Sequence, residues 1–142
     1  MSLRGRAASL IAVTLFVATA CQAEPIEVNP GLAIARINEV PTDGVLYSIE
    51  HDIYLADAGE DGFVALSRRD PYLGCTVQSL EPGDDFGITL HPSTRFVDPS
   101  HGGQYDIAGR YLAGPAGEGL RRLPIEVIAG TVYLDPNPER DV

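Results

Sequence analysis

The sequence contains no lysine and no tryptophan, and its only methionine is the first residue. All ten basic residues are arginines, and the chain has twenty acidic residues, so the formal net charge is −10 at neutral pH. The chain has no basic run that could displace the counterions of a phosphate backbone, which excludes a nucleic-acid partner. A partner protein with a basic surface suits this charge better.

Cysteine is scarce as well, since Cys21 and Cys75 are the only two. No Cys-x-x-Cys pair is present, which excludes thioredoxin-like redox chemistry and cysteine-rich zinc sites. The two cysteines of an exported protein could form one disulfide if Cys21 is not lipidated. If Cys21 is lipidated, Cys75 is a single thiol, and we interpret it as buried and unreactive because no positive charge adjoins it in the sequence.

Long hydrophobic runs are absent except at the N-terminus. The uncharged run at 7–20 is shorter than the roughly 20 residues that a membrane span needs. It follows two arginines and ends in Ala-Thr-Ala, which predicts an export signal over residues 1–20. The next residue, Cys21, resembles the lipidated cysteine of a bacterial lipobox, so we expect a lipid anchor there on the periplasmic side of a membrane. Cleavage to a soluble periplasmic protein is the alternative.

Helical periodicity is missing, and eleven prolines disfavour long helices. Short connections, among them a two-residue hairpin loop at Ala129-Gly130, favour antiparallel pairing. We predict one all-β domain over residues 31–136, after a tether at 21–30 and before a flexible tail at 137–142. β-branched and aromatic runs predict its strands at 32–37, 45–49, 52–56, 63–67, 86–90, 105–109, 124–128 and 131–134.

Two loop sequences carry a resemblance to a known family. They are DPYLGC at Asp70–Cys75, after a run ending in Ala-Leu-Ser, and DPSHGG at Asp98–Gly103, followed by Gln-Tyr-Asp. With the later Gly114–Ala116 loop and a closing hairpin, they resemble the Rieske domain, whose loops CTHLGC and CPCHGS hold a 2Fe-2S cluster. The resemblance implies an antiparallel β-sandwich with a small loop-bearing subdomain. A longer interval between the loops indicates an insertion around Leu80–Ser93.

Four positions correspond to the cluster ligands of that family. Asp70 and Asp98 stand in place of the two cysteines, and Tyr72 and His101 stand in place of the two histidines. A Rieske cluster is held by two thiolates and two imidazoles. The resemblance therefore implies that one ligand of four is kept.

The supporting positions are also changed. The disulfide that joins the two loops in the family corresponds to Cys75 and Ser100, so it cannot form. Gly103 replaces a serine that donates to a bridging sulfide, whereas Tyr105 keeps the place of a tyrosine that donates to a ligand sulfur. These changes imply that the cluster has been lost rather than tuned to another potential.

The remaining side chains could have another use. Two carboxylates, a phenol and an imidazole could hold ferric iron, and without the phenol they could hold zinc. These side chains are Asp70, Asp98, Tyr72 and His101. Alternatively, each Asp-Pro pair simply opens a turn, and His101 bonds a loop carbonyl or Asp98. Two ionised aspartates without a cation repel, so an empty site needs a protonated His101, loops that splay apart, or a nearby arginine, for which Arg68 and Arg69 are the candidates.

The function that the resemblance implies is that of an exported, non-catalytic accessory subunit of a membrane or periplasmic redox complex. Its docking residues would be Pro71–Leu73, Pro99–Gly103 and Gly114–Gly117. The alternative is an electron-transfer protein with a 2Fe-2S cluster, or a single iron or zinc ion, on the substituted ligands. An enzyme is disfavoured, because the chain has no recognisable nucleophile motif and no phosphate-binding glycine loop.

Overall fold

The computed structural model describes residues 31–135. The predicted signal at 1–20, the lipidation site Cys21, the tether and the tail at 137–142 lie outside these residues. No helix in the described part is long and apolar enough to cross a membrane. This part is built from single 3-10 turns at Ile37–Glu39 and Gly59–Asp61 and from strands β1 (Leu32–Arg36), β2 (Val45–Ser48), β3 (Ile53–Asp57), β4 (Phe63–Ser67), β5 (Gln78–Ser79), β6 (Phe96–Asp98), β7 (Gly103–Tyr105), β8 (Tyr111–Ala113), β9 (Arg122–Leu123), β10 (Ile125–Ile128) and β11 (Thr131–Leu134).

The strands form three antiparallel sheets. Strand β11 lies between β1 and β10 in the first sheet, and the second sheet has the order β2-β3-β4-β9. The third sheet has the order β5-β6-β7-β8 and carries the loop sequences described above. The predicted all-β antiparallel sandwich with a small loop-bearing part is therefore confirmed.

The second sheet is central because both of its faces are covered. Alternate side chains of a strand point to opposite faces. In β3, Tyr54 and Ala56 join a cluster with Phe96 and Tyr105 of the third sheet. Ile53 and Leu55 of the same strand join a second cluster, which includes Val132 of β11. Four consecutive residues of β3 are buried for this reason.

Tyr54 also attaches the third sheet to the second. Its hydroxyl donates to the carbonyl of Val77 and accepts from the amide of Ser79, both at 3.1 Å. The ring packs 5.0 Å from that of Phe96. One side chain of the central sheet thus fixes the strand that leads out of the first loop sequence.

Most of the predicted strands are present within one or two residues, and the hairpin loop is confirmed. Ala129 and Gly130 have φ angles of 48° and 78° between the paired residues Ile128 and Thr131. Both central residues have positive φ, as a type I′ turn requires.

Two predicted strands are wrong. Residues 86–90 form no strand and bend at 87–88, because Gly87 has a φ of 67° and its amide is held by the side chain of Asp85 at 2.8 Å. Residues 106–109 turn as well, since the Asp106 carboxylate accepts from the amides of Ala108 and Arg110. In both places an aspartate side chain offers the backbone a bond that competes with a strand ladder.

Candidate functional site

The candidate site lies where two loops of the same local sequence meet. The first loop, Asp70–Cys75, is closed by the bridge between Arg69 and Thr76, and the second loop, Asp98–Gly103, joins β6 to β7. Both have the pattern Asp-Pro-x-x-Gly. This repeated pattern gives them matching hydrogen bonds.

Each loop is organised by the side chain of its aspartate. One oxygen of Asp70 accepts from the amide of Tyr72 at 2.7 Å, and one oxygen of Asp98 accepts from the amide of Ser100 at 2.9 Å. These are the bonds to the backbone two residues on that favour aspartate at turns. The expectation that both Asp-Pro pairs open turns is confirmed.

A glycine closes each loop. The amides of Gly74 and Gly102 donate to the carbonyls of Asp70 and Asp98, each at 2.8 Å. Both glycines have positive φ, 72° and 76°, which other residues rarely adopt. The two loops are therefore held by their own backbone and by their aspartates.

The second oxygen of Asp70 is also occupied. It accepts from the hydroxyl of Tyr105 at 2.5 Å, and both side chains are buried. Tyr105 is the tyrosine that the Rieske resemblance assigns as donor to a ligand sulfur. In this chain it donates to a carboxylate oxygen.

Gly103 adjoins this hydrogen bond. A Cβ at this position would lie 2.5 Å from the same oxygen of Asp70 and 3.0 Å from the hydroxyl of Tyr105. A serine at 103 would therefore collide with the Asp70 carboxylate. The glycine and the aspartate therefore fit each other sterically.

The environment of Tyr105 raises the pKa of its phenol far above the usual value of about 10. Burial is the largest cause, followed by the hydrogen bond to Asp70 and the charges of Asp70 and Asp98. A buried phenol next to carboxylates keeps its proton, because ionisation would place a further negative charge among them. The hydroxyl is therefore a fixed donor to Asp70 at neutral pH.

Asp98 and His101 form the other pair. The Nδ1 atom of His101 lies 3.1 Å from the Asp98 oxygen that does not bond Ser100. The Asp98 side chain is fully buried, whereas 32% of the His101 side chain is exposed. The ring of Tyr72 meets the imidazole edge on, with the centroids 5.7 Å apart. Tyr72, Asp98 and His101 thus lie together, whereas Asp70 is engaged with Tyr105.

Cys75 is a site residue that the sequence analysis placed at a lost disulfide and not among the metal ligands. Its thiol, a carboxylate oxygen of Asp98 and a ring nitrogen of His101 all lie within 4.8 Å of one another. Cys75 is a free, half-buried thiol, so its interpretation as buried is wrong. The sequence feature that places Cys75 near the site is its position directly after the Asp-Pro-x-x-Gly pattern of the first loop. Asp70, which was predicted as a metal ligand with Asp98 and His101, is not in this cluster.

The proposed neutralisation of the aspartates by two arginines is wrong. Arg68 and Arg69 both pair with Asp52, at 2.8 and 3.2 Å. The guanidinium group of Arg68 also lies 4.2 Å from the centre of the Tyr47 ring. Its hydrogen bond to Asp52 is the main reason why the pKa of that carboxyl is lowered.

A third loop, Gly114–Gly117, lies against the second. A Cβ on Gly114 would be 2.6 Å from the Cα of Gly103 and 2.8 Å from the carbonyl oxygen of Gly102. The hydroxyl of Tyr111 donates to the carbonyl of Gly114 at 2.6 Å. We call the first, second and third loops together the loop end of the domain.

The insertion predicted at Leu80–Ser93 adjoins the loop end. The side chain of Gln104 in β7 donates to the carbonyl of Thr89 at 2.9 Å and accepts from the amide of His91 at 2.8 Å. Ile88 is consequently near Gly102 of the second loop. The loop end exposes Tyr72 and Leu73, and two more large apolar or aromatic side chains are exposed beside it, Ile88 and Tyr111.

Comparison with known proteins agrees with this architecture. No family model matches the chain, and no curated protein matches it. The structure is similar to the crystal structure of PetC3, the cyanobacterial plasma membrane Rieske protein from Synechocystis PCC 6803, with a TM-score of 0.54 and 17% sequence identity. The match covers 73% of this chain and 98% of that chain. The described domain therefore has a Rieske fold, and at this identity the likeness extends to the fold alone.

Proposed function

We propose that the chain is an exported Rieske-fold protein that works without a 2Fe-2S cluster. It acts as a non-catalytic subunit that binds a protein of a membrane or periplasmic redox complex through its loop end. The proposal is supported mainly by one observation: internal hydrogen bonds hold the carboxylates of Asp70 and Asp98, which stand where the resemblance implies cysteine thiolates.

The donor set at these positions does not fit a Rieske cluster. The iron atoms of such a cluster need two thiolates and two imidazoles. Asp70 already accepts two hydrogen bonds within the protein, and Asp98 accepts one from an amide and contacts His101. Tyr72 is about half exposed and packs on His101 instead of offering an imidazole. An electron-transfer role through a cluster would require these side chains to leave their partners.

The surface of the loop end supports a docking role. Tyr72 and Leu73 are 49% and 62% exposed, although a large apolar side chain gains by burial. Aromatic side chains of this kind are frequent anchors in protein interfaces. The strong negative charge of the chain favours a partner with a basic surface, since complementary charges speed encounter and exclude wrong partners.

Attachment to a membrane is part of the proposal and depends on the N-terminal sequence. The export signal and a lipid on Cys21 would place the domain on the periplasmic side of a bacterial membrane. The plasma membrane Rieske protein that shares the fold is consistent with such a location.

The absence of a cluster is tested by metal and acid-labile sulfide analysis. We expect colourless protein without stoichiometric iron or sulfide when the full chain is made in cells with intact iron-sulfur assembly and purified without oxygen. Equimolar iron and sulfide with visible absorption would establish the alternative, an electron-transfer protein.

The docking role is tested with charge-introducing variants. We expect Leu73→Glu to abolish cross-linking of the chain to a redox-complex subunit in membranes, because a carboxylate in an apolar contact stays unpaired. Leu32→Glu is the matched control, since Leu32 is 56% exposed and lies in β1 of the first sheet, which covers the opposite face of the central sheet from the third sheet. Equal cross-linking by both variants would contradict docking through the loop end.

A further inference from the structure

The contact between the first and second loops brings together three side chains that ligate transition metals. They are the thiol of Cys75, the carboxylate of Asp98 and the imidazole of His101, with ligand atoms within 4.8 Å of one another. We propose that they form a mononuclear site for a divalent transition metal of the zinc class. This inference does not depend on the proposed docking function.

The distances suit one ion. Zinc binds sulfur at about 2.3 Å and nitrogen or oxygen at about 2.0–2.2 Å, so ligand atoms around a tetrahedral zinc are roughly 3.3–3.6 Å apart. The oxygen of Asp98 and Nδ1 of His101 are already 3.1 Å apart. The ligand atoms lie at most 4.8 Å apart, so the distances to the Cys75 sulfur must shorten by about 1 Å at most to surround one ion. A rotation of the Cys75 side chain can supply this movement.

The surroundings hold two of the ligands in place. Asp98 is fully buried, and one of its oxygens is fixed by the amide of Ser100, so the other oxygen has a defined direction. The edge contact with Tyr72 restricts the imidazole of His101. Ligands that are held by neighbouring groups bind a metal more tightly, because less ordering is needed.

The site is open on one side. The His101 side chain is 32% exposed, and Cys75 is half-buried. Three protein ligands with an accessible fourth position are the arrangement that zinc adopts with a bound water. In this protein the fourth ligand is water or a side chain of a bound partner.

The ligand chemistry selects the class of metal. Calcium and magnesium prefer oxygen ligands, whereas a set with thiolate and imidazole suits zinc and its neighbours. Binding converts the Cys75 thiol to a thiolate and releases its proton to the solvent. The set also differs from the Rieske ligand positions, because Cys75 corresponds to the cysteine of the family disulfide.

The test is titration of the metal-free full chain. Binding of Zn²⁺ is measured by isothermal titration calorimetry, and binding of Co²⁺ is measured by visible absorption. The Cys21→Ser background leaves Cys75 as the only thiol. We expect one ion per chain, with a thiolate-to-cobalt charge-transfer band. Cys75→Ser should remove the band, and both Cys75→Ser and His101→Gln should weaken Zn²⁺ binding by about 100-fold or more, since each removes a direct ligand.

His91→Gln is the matched control, because His91 is an exposed histidine outside the cluster and should leave binding unchanged. Circular dichroism verifies the fold of each variant. If one of the two ligand variants does not fold, the Zn²⁺ affinity of the other tests the proposal. The proposal is overturned if the parent binds no ion. It is equally overturned if several ions bind weakly and Cys75→Ser and His101→Gln have no effect, which would indicate the acidic surface.

Discussion

Gly114→Ala is expected to lower the free energy of unfolding by about 3–4 kcal/mol. The new Cβ would lie 2.6 Å from the Cα of Gly103, and Gly114 has a φ of 107°, which disfavours any side chain. Overpacking costs typically about 1–3 kcal/mol, and a left-handed conformation adds roughly 1–2 kcal/mol for a residue with a Cβ. The contacted atoms belong to backbone, so they cannot rotate away. Urea denaturation followed by circular dichroism measures the change.

Gly117→Ala in the same loop is the control for this prediction. Gly117 also has a positive φ, 71°, but a Cβ there meets no atom within 4 Å. Only the cost of the left-handed backbone remains, so we expect a loss of about 1–2 kcal/mol. If both variants lose the same stability, the third loop does not pack on the second as described.

Tyr105→Phe is expected to cost about 2–3 kcal/mol at neutral pH, because it leaves the buried Asp70 carboxylate without one of its two donors. The control is Tyr111→Phe, which removes a solvent-exposed bond to the carbonyl of Gly114 and should cost under about 1 kcal/mol. Urea denaturation of the parent and both variants gives these values.

The stability difference between the parent and Tyr105→Phe is expected to depend on pH. The pKa of Tyr105 is raised in the folded protein, so the folded state keeps a proton that the unfolded state releases above about pH 10. The stabilisation by this group is therefore complete below pH 10 and declines as the pH rises above it. We expect the advantage of the parent over Tyr105→Phe to shrink between pH 10 and 11. An advantage that stays constant over this range would contradict the role given to Tyr105.

The longer strands could be predicted from the sequence because each offers four or five residues of β-branched or aromatic character. The third sheet could not, since its strands have two or three residues, too few for a period to show. Tertiary bonds set their positions, chiefly those from Tyr54 to the residues around β5. The false strand at 86–90 has an alternating pattern, yet glycine and aspartate turn its backbone.

The turns of the site could be predicted from the sequence, but the contacts between residues distant in the sequence could not. The Asp-Pro pairs indicate local bonds, which sequence shows directly. The bond between Asp70 and Tyr105 joins residues 35 positions apart, and only the fold brings them together. The sequence does not indicate Cys75 as a ligand, because the resemblance assigns it to a disulfide and only the fold brings it close to Asp98 and His101. Arg68 was misplaced because its pairing with Asp52 depends on the neighbouring strands.

The doubly covered central sheet has a consequence for the order of folding. Strands β2, β3 and β4 are joined by connections of four and five residues, so this meander has the most local contacts of the domain. Local contacts form early because their loops cost little entropy to close. The other two sheets need the meander as a template on its two faces. We therefore expect the transition state to be organised around β3, with the loop end acquiring its shape last.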